Sequence, residues 1–369
     1  MSARRALLAS LLLPLAACGG GSPSGPGPLP SGSSSAVTLV VFYDENGNGA
    51  LDSGEATRVP DVEVGLAGKS ARSAVGTGRA VVDGVSAGTF TPAVTASTLP
   101  PFYAVGRLTA VQVPASGEVA IPLVLAIGAN RPNTYMAFGD SITEGDNYPG
   151  DPSYRGPLAD KLRQHFGRAT VLNEGVGSTK SFQGAERIDG PLLSDRPAYT
   201  LILYGTNDWN QSECHTVARL ATTCYTIASL RDIILSVKAN SSLPVVGTVP
   251  PVNENYNEFA PPQRNDWVQA VDVQIRDLAR QQGAVLADVE RGFLAAGNSP
   301  DLFVDHVHPS AQGEEIIASA FFQAIAHGSG AGGAGVDGGA VIDLDAPQVL
   351  SAPTIPRRAG ARPRTRVVR

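Results

Sequence analysis

Four polar residues, distant from one another in the chain, have the types that an acyl-transfer reaction needs. Ser141 ends Gly139-Asp140-Ser141, Asn207 lies in Gly205-Thr-Asn-Asp208, and Asp305 and His308 lie in Asp305-His-Val-His-Pro309. Ester hydrolysis requires a nucleophile, a base to take its proton, a group to orient the base, and donors for the oxyanion. Ser141 suits the first task and His308 the second. Asp305 precedes His308 by three residues, so carboxylate and imidazole on one loop can hydrogen-bond, fixing the tautomer and stabilising imidazolium. His306 is the rival base, but side chains one residue apart diverge, which favours His308 beside Asp305. Asn207 offers a side-chain amide and Ser141 its own N–H to an oxyanion. Each motif alone also reads as an ordinary turn. Asp140 and Asp208 are expected to hydrogen-bond nearby backbone. His165, His215 and His327 have no such company and read as surface residues.

The elements around these residues alternate between strand and helix patterns. Apolar runs at Thr134–Phe138, Ala169–Asn173, Tyr199–Tyr204, Leu243–Thr248 and Ala284–Asp288 read as buried strands. Between them apolar residues recur at helical spacing: Leu158, Leu162 and Phe166; Leu230, Ile233, Ile234 and Val237; Trp267, Val271, Ile275 and Leu278; Ile316, Ile317, Ala320 and Phe321. Such alternation predicts a parallel sheet covered on both faces, an α/β, three-layer, flavodoxin-like domain over 128–327. Ser141 and Asn207 each follow a strand. The C-terminal edge of a parallel sheet is where such folds bind ligands.

Four blocks occur in this order: Thr134-Tyr-Met-Ala-Phe-Gly-Asp-Ser-Ile-Thr143, Asn173-Glu-Gly-Val-Gly-Ser178, Gly205-Thr-Asn-Asp208 and Asp305-His-Val-His-Pro309. Together they resemble the SGNH (GDSL) hydrolase family over roughly residues 133–327. The resemblance implies a serine esterase with Ser141, His308 and Asp305 as its triad and no cofactor for catalysis. It also implies a second backbone oxyanion donor in the second block. The family often reads Asn-x-Gly-x-x-Gly, whereas here the last glycine is either one place early, at Gly177, or replaced by Ser178. Gly177 is preferred, beside Ser141 and Asn207, for the oxyanion hole.

Residues 37–127 carry short β-branched runs separated by turns, the pattern of an all-β sandwich. The first run, Val37–Tyr43, leads into Asp44-Glu-Asn-Gly-Asn-Gly-Ala-Leu-Asp-Ser-Gly-Glu55. That stretch fits the calcium-loop pattern D-x-[DN]-x-[DN]-G-x5-E. Asp44, Asn46, Asn48, the Ala50 carbonyl, Asp52 and Glu55 would be the ligands of a structural calcium. The alternative is a metal-free Asn-Gly hairpin turn. A strand rather than a helix precedes the loop, so the segment resembles the B-type, prealbumin-like modules of bacterial surface proteins.

At the N-terminus Arg4 and Arg5 precede an apolar stretch, Ala6–Ala17, too short to span a bilayer. It runs into Leu15-Ala16-Ala17-Cys18, which resembles a bacterial lipobox. Residues 1–18 are thus expected to be a lipoprotein signal, with lipid on Cys18 and a Gly/Pro/Ser tether over 19–36. That would make the protein exported and membrane-anchored. Of three cysteines, Cys214 and Cys224 then remain, and in an exported chain they are expected to pair. Residues 328–369 are Gly/Ala-rich and then basic, with six arginines between Arg357 and Arg369, a disordered tail by composition.

A chain of 369 residues, 43% hydrophobic and 17% charged, has room for two domains with a core in each. A formal net charge of −6 argues against nucleic acid as a partner. The expected partner is an ester substrate. An acylated glycan, deacetylated at the cell surface, suits the attached β-module and the anchor. Asn147, Tyr148, Tyr154 and Trp209 follow the first and third blocks, and would line a cleft for a sugar ring or else pack in the core. The alternatives are a lipase, lysophospholipase or broad arylesterase, and a glycan- or partner-binding surface lipoprotein with an inactive hydrolase domain.

Overall fold

The computed structural model describes residues 34–256 and 258–328. Cys18, the 1–18 signal, most of the 19–36 tether and the tail beyond 328 lie outside the described residues. The β-rich part contains β1 (Ser34–Tyr43), β2 (Glu63–Leu66), β3 (Lys69–Arg72), β4 (Arg79–Ser86), β5 (Gly88–Phe90), β6 (Ala93–Val94), β7 (Tyr103–Val105), β8 (Val111–Val113) and β9 (Val119–Leu125). They form sheets ordered β4-β1-β9-β7, β3-β2-β6 and β5-β8, an all-β domain. β1 begins at Ser34, inside the expected tether.

The second part follows with β10 (Arg131–Gly139), α1 (Ser141–Glu144), α2 (Arg155–Phe166), β11 (Thr170–Gly175), α3 (Ser181–Arg187), α4 (Asp189–Asp195), β12 (Pro197–Leu203), α5 (Val217–Leu220), α6 (Thr226–Ala239), β13 (Leu243–Gly247), α7 (Pro262–Gln282), β14 (Val285–Ala287), α8 (Val289–Ala295) and α9 (Ala311–His327). The five strands pair in parallel, in the order β11-β10-β12-β13-β14. Alternate residues of β10 enter different cores. Tyr135 and Ala137 pack with Leu158 and Leu162 of α2 and Phe321 of α9. Met136 and Phe138 pack with Leu230 and Ile233 of α6 and Trp267 and Val271 of α7. Burial on both faces explains why the central strands β10, β12 and β13 read as apolar runs, while the edge strand β11 buries no residue fully, and the two cores make three layers. Local signals set the ends of α7, which opens on Pro262 and stops at Gly283 with φ 63°.

The two parts do not keep separate cores. One apolar cluster includes Val41, Tyr43 and Val64 together with Tyr135, Phe166 and Tyr199. Phe102 meets the Tyr199 ring edge-on at 6.2 Å, and the Arg58 N–H donates to the Phe166 carbonyl at 2.9 Å. Buried Asn133 accepts from the Thr57 hydroxyl at 3.0 Å and donates to Glu45 Oε1 at 2.7 Å. Burying a large side chain here stabilises by about 1.5–3 kcal/mol, so the junction is an integral part of the fold.

Candidate active site

The sheet register brings the motif blocks to one edge. Gly139 at the end of β10 is level with Gly175 of β11 and Leu203 of β12. Ser141, Gly177 and Asn207 therefore all leave the C-terminal edge of three adjacent strands. Asp140 caps α1, its Oδ1 accepting from the Ile142 N–H at 3.1 Å. Asp208 does more than serve its own loop. Its carboxylate accepts from Ser181 N at 2.8 Å, Ser181 Oγ at 2.6 Å and Thr226 Oγ1 at 2.7 Å, tying α3 to α6. Burial pushes its carboxyl up against the pull of these bonds.

Ser141 Oγ lies 2.8 Å from His308 Nε2, and His308 Nδ1 lies 2.7 Å from Asp305 Oδ2. The other Asp305 oxygen accepts from the N–H groups of Val307 at 2.8 Å and His308 at 2.7 Å. Bridging between Phe303 and Pro309 closes the loop that holds both residues. Burial of Asp305 opposes ionisation, but the hydrogen bonds from His308 and the two N–H groups outweigh it and hold the carboxyl well below the usual range. His306 Nδ1 is 3.9 Å from Asp305 Oδ1, too far for a hydrogen bond, and its ring lies 5.4 Å from that of Phe259 and 6.5 Å from that of Tyr256. A serine hydroxyl, an imidazole and a carboxylate in one hydrogen-bonded chain can transfer the serine proton as a nucleophile attacks.

The second block approaches the serine closely. A Cβ built on Gly177 would stand 3.9 Å from Ser141 Cβ and 2.6 Å from Glu144 Oε2. A Cβ on Gly175 would stand 2.1 Å from the Glu144 nitrogen, so that position admits only glycine beside α1. Ser178 follows with φ 62°. Asn207 is half-buried, and its Nδ2 donates to the Thr179 carbonyl at 3.1 Å. Cys214 and Cys224 form a disulfide in the segment between β12 and α6.

The surroundings differ from expectation at several places. Tyr154 is fully buried and stacks on Phe321 at 5.4 Å. Trp209 is buried under the Arg264 guanidinium at 4.9 Å. Both aromatics are core rather than cleft. Asn147 and Tyr148 are half-exposed. Asn147 Nδ2 donates to the Ser141 carbonyl at 3.2 Å, and the Tyr148 hydroxyl donates to Glu314 Oε2 at 3.0 Å. The exposed aromatics beside the His308 loop are Tyr256 and Phe259, at 43% and 56%, which carry no motif signal. Arg187 of α3, whose guanidinium donates to the carbonyls of Gly139 and Glu174, carries no motif signal either. His165 is buried between Phe166 and Phe322 rather than on the surface.

No curated protein matches the chain. Residues 137–316 match the model of the GDSL-like Lipase/Acylhydrolase family. Among solved structures, a lipase/acylhydrolase from Enterococcus faecalis is 17% identical with a TM-score of 0.44, covering 53% of this chain and 95% of its own. An acetylxylan esterase from Geobacillus stearothermophilus is 20% identical with a TM-score of 0.43, over 53% and 95%. A GDSL-like lipase from Bacteroides thetaiotaomicron VPI-5482 is 20% identical with a TM-score of 0.41, over 52% and 87%. The matched span runs from β10 into α9 and takes in Ser141, Gly177, Asn207, Asp305 and His308, so the α/β part of this chain is a hydrolase domain of the GDSL-like lipase/acylhydrolase type.

Proposed function

We propose that this protein is a serine esterase acting through Ser141, His308 and Asp305, and that it deacetylates a carbohydrate. The hydrogen-bonded chain from Ser141 Oγ through His308 to Asp305 carries the reading. His308 takes the Ser141 proton as Oγ attacks an ester carbonyl. The N–H groups of Ser141 and Gly177 and the amide of Asn207 hold the oxyanion, each worth about 3–4 kcal/mol in comparable sites. His308 then protonates the leaving alcohol, and water repeats the cycle on the acyl-enzyme. The exposed rings of Tyr256 and Phe259 beside this loop offer apolar faces to a sugar ring.

The Asp44–Glu55 loop fits a structural calcium. Asp44 and Glu55 are buried. Asp44 accepts only backbone N–H groups, from Gly47, Asn48 and Gly49, and Glu55 those of Glu45 and Asp52. Among the described residues no basic side chain pairs with either carboxylate. Buried carboxylates without a basic partner suit a hard divalent cation held by oxygen ligands. Lipid on Cys18 would anchor the exported chain to a membrane.

The test is hydrolysis of p-nitrophenyl acetate, butyrate and octanoate by the full chain beside Ser141→Ala. Acetate activity that vanishes in the variant supports the mechanism, and release of acetate from acetylated glycans then tests the substrate. Preference for octanoate would replace deacetylation by lipase action. Equal activity in the variant, or none on any ester, would overturn the serine mechanism or the esterase reading.

A further inference from the structure

Asp61, His165 and His327 come from three distant places: the turn before β2, the last turn of α2 and the end of α9. One carboxylate oxygen and one nitrogen from each imidazole all lie within 4.8 Å of one another. The two imidazole rings stand 5.5 Å apart, nearly perpendicular at 75°. Aromatic packing fixes them: His165 meets Phe166 at 4.6 Å and Phe322 at 5.3 Å, and His327 meets Phe322 at 6.0 Å. Among the described residues no hydrogen bond or ion pair links these three groups, and none engages the Asp61 carboxylate or either imidazole. The three groups converge without satisfying one another.

We propose that Asp61, His165 and His327 bind a zinc-type divalent ion that ties the all-β domain to the α/β domain. Two imidazoles and a carboxylate are a ligand set suited to zinc rather than calcium, with bonds of about 2.0–2.2 Å. Asp61 and His327 are exposed, so each side chain can turn to bring its donor to bonding distance, and the ion enters from solvent with water in the fourth position. Helices that cover a parallel sheet run against its strands. The C-terminal ends of α2 and α9 therefore lie at the sheet edge opposite Ser141, and the ion has a structural task. It would cross-link elements about 100 residues or more apart in the chain, next to the Arg58–Phe166 contact. The site is separate from the Asp44–Glu55 loop, whose ligands are all oxygen.

The full chain, produced without lipid and with the Cys18 thiol alkylated and metal removed, would be titrated calorimetrically with zinc chloride in excess calcium. Cobalt, followed by its visible absorption, would report the ligand geometry, and thermal melting would report stabilisation. His165 is left intact because its ring is packed in the core. The variants are His327→Ala and Asp61→Asn, the latter because asparagine accepts the φ of 62° at this position. The expected result is one bound zinc per chain and a higher Tm with zinc. Each variant should weaken binding by at least about tenfold, since even groups that merely orient ligands cost that much. His215→Ala, exposed elsewhere, should change nothing. Absence of zinc binding, or binding and thermal shift unaltered in both variants, would overturn the proposal.

Discussion

The Arg187 guanidinium donates to the carbonyl of Gly139 at 3.0 Å, two residues before Ser141. The same nitrogen reaches the Glu174 carbonyl at 2.7 Å and the Tyr204 hydroxyl at 2.8 Å, and the group lies 4.1 Å over the Phe138 ring. One side chain of α3 thus gathers the ends of β11 and β10 and the residue that follows β12, the three strands that present Gly177, Ser141 and Asn207. Arg187→Ala should destabilise the fold by about 1–3 kcal/mol through unpartnered polar groups. It should also lower kcat by about tenfold with little change in KM, because strand ends and not a substrate contact are disturbed. Arg187→Lys keeps the charge but not the planar fork and should fall between. Thermal melting and p-nitrophenyl acetate kinetics check both, and an unchanged kcat in the alanine variant would remove Arg187 from the positioning of the site.

Asp305→Asn should leave the fold intact and lower kcat by about three to four orders of magnitude, because the amide imposes the wrong tautomer on His308. The folded chain holds the Asp305 carboxyl below its usual range. Its contribution to stability is therefore present above the unfolded value of about 4 and is lost as pH falls further. Melting temperatures should drop less steeply below pH ~4 in the variant than in the wild type. The side chain is 38% exposed, so solvent screening keeps this difference small.

A pair of carboxyl groups, Asp151 and Glu314, lies behind the Asn147 contact to the serine backbone. Asp151 accepts from the Asn147 N–H at 2.8 Å, and Asn147 in turn touches the Ser141 carbonyl. Glu314, only 1% exposed, accepts from the Tyr148 hydroxyl at 3.0 Å and has Asp151 as a carboxylate neighbour. Burial and this carboxylate neighbour push the Glu314 carboxyl up to about 8. The unfolded chain releases that proton near pH 4, so stability should decline from about pH 4 to pH 8 as the folded chain retains it. Glu314→Gln, which carries no charge beside Asp151 at any pH, should flatten the decline and raise Tm above pH 8. Parallel Tm curves for the two proteins from pH 5 to 9 would refute this.

Glycines of the second block should differ sharply. Gly175→Ala drives a Cβ into the backbone of α1 and should cost about 1–3 kcal/mol of stability and most of the activity. Gly177→Ala meets only the end of the exposed Glu144 side chain, which can swing away, and it retains the N–H. Its Tm should stay near wild type, and kcat/KM should fall by less than about tenfold, well under the cost of losing an oxyanion donor. A Gly177→Ala enzyme as impaired as Gly175→Ala would mean that space, and not the N–H, is what this position supplies.

The central parallel strands β10, β12 and β13 were legible because burial on both faces leaves an apolar run with little polar interruption. The ends of α2 and α7 are set locally, by Gly167 and Gly283 in left-handed geometry. Elements with little apolar content were not legible. Lys69–Arg72 pairs only at a sheet edge and buries almost nothing, and Ser181–Arg187 and Asp189–Asp195 are short and polar. Tyr154 and Trp209 show a different limit: an aromatic residue near a motif reads alike whether it packs inward or faces a cleft. For His165 and Arg187 the deciding partners lie elsewhere in the chain, at 61 and 327 and at the strand ends, and no local pattern carries that information. The shared core of the two domains escaped for the same reason, since each half alone has a sufficient apolar pattern.

That shared core changes what metal removal should do. Asp44 and Glu55 close a loop that leaves β1, whose residues Val41 and Tyr43 belong to the same apolar cluster as Tyr135 and Tyr199 of the hydrolase sheet. A cation held there would stabilise β1 directly and the sheet through this packing. A chelator should therefore lower the melting temperature of the whole chain in one transition and not detach a separately melting β domain. Added calcium should restore the Tm, while Asp44→Asn, which removes a formal charge from the first ligand position, should blunt both responses. Differential scanning calorimetry with chelator, with calcium and with the variant checks all three. Unchanged melting in chelator would remove the cation from the loop, and two separated transitions would remove the coupling between the domains.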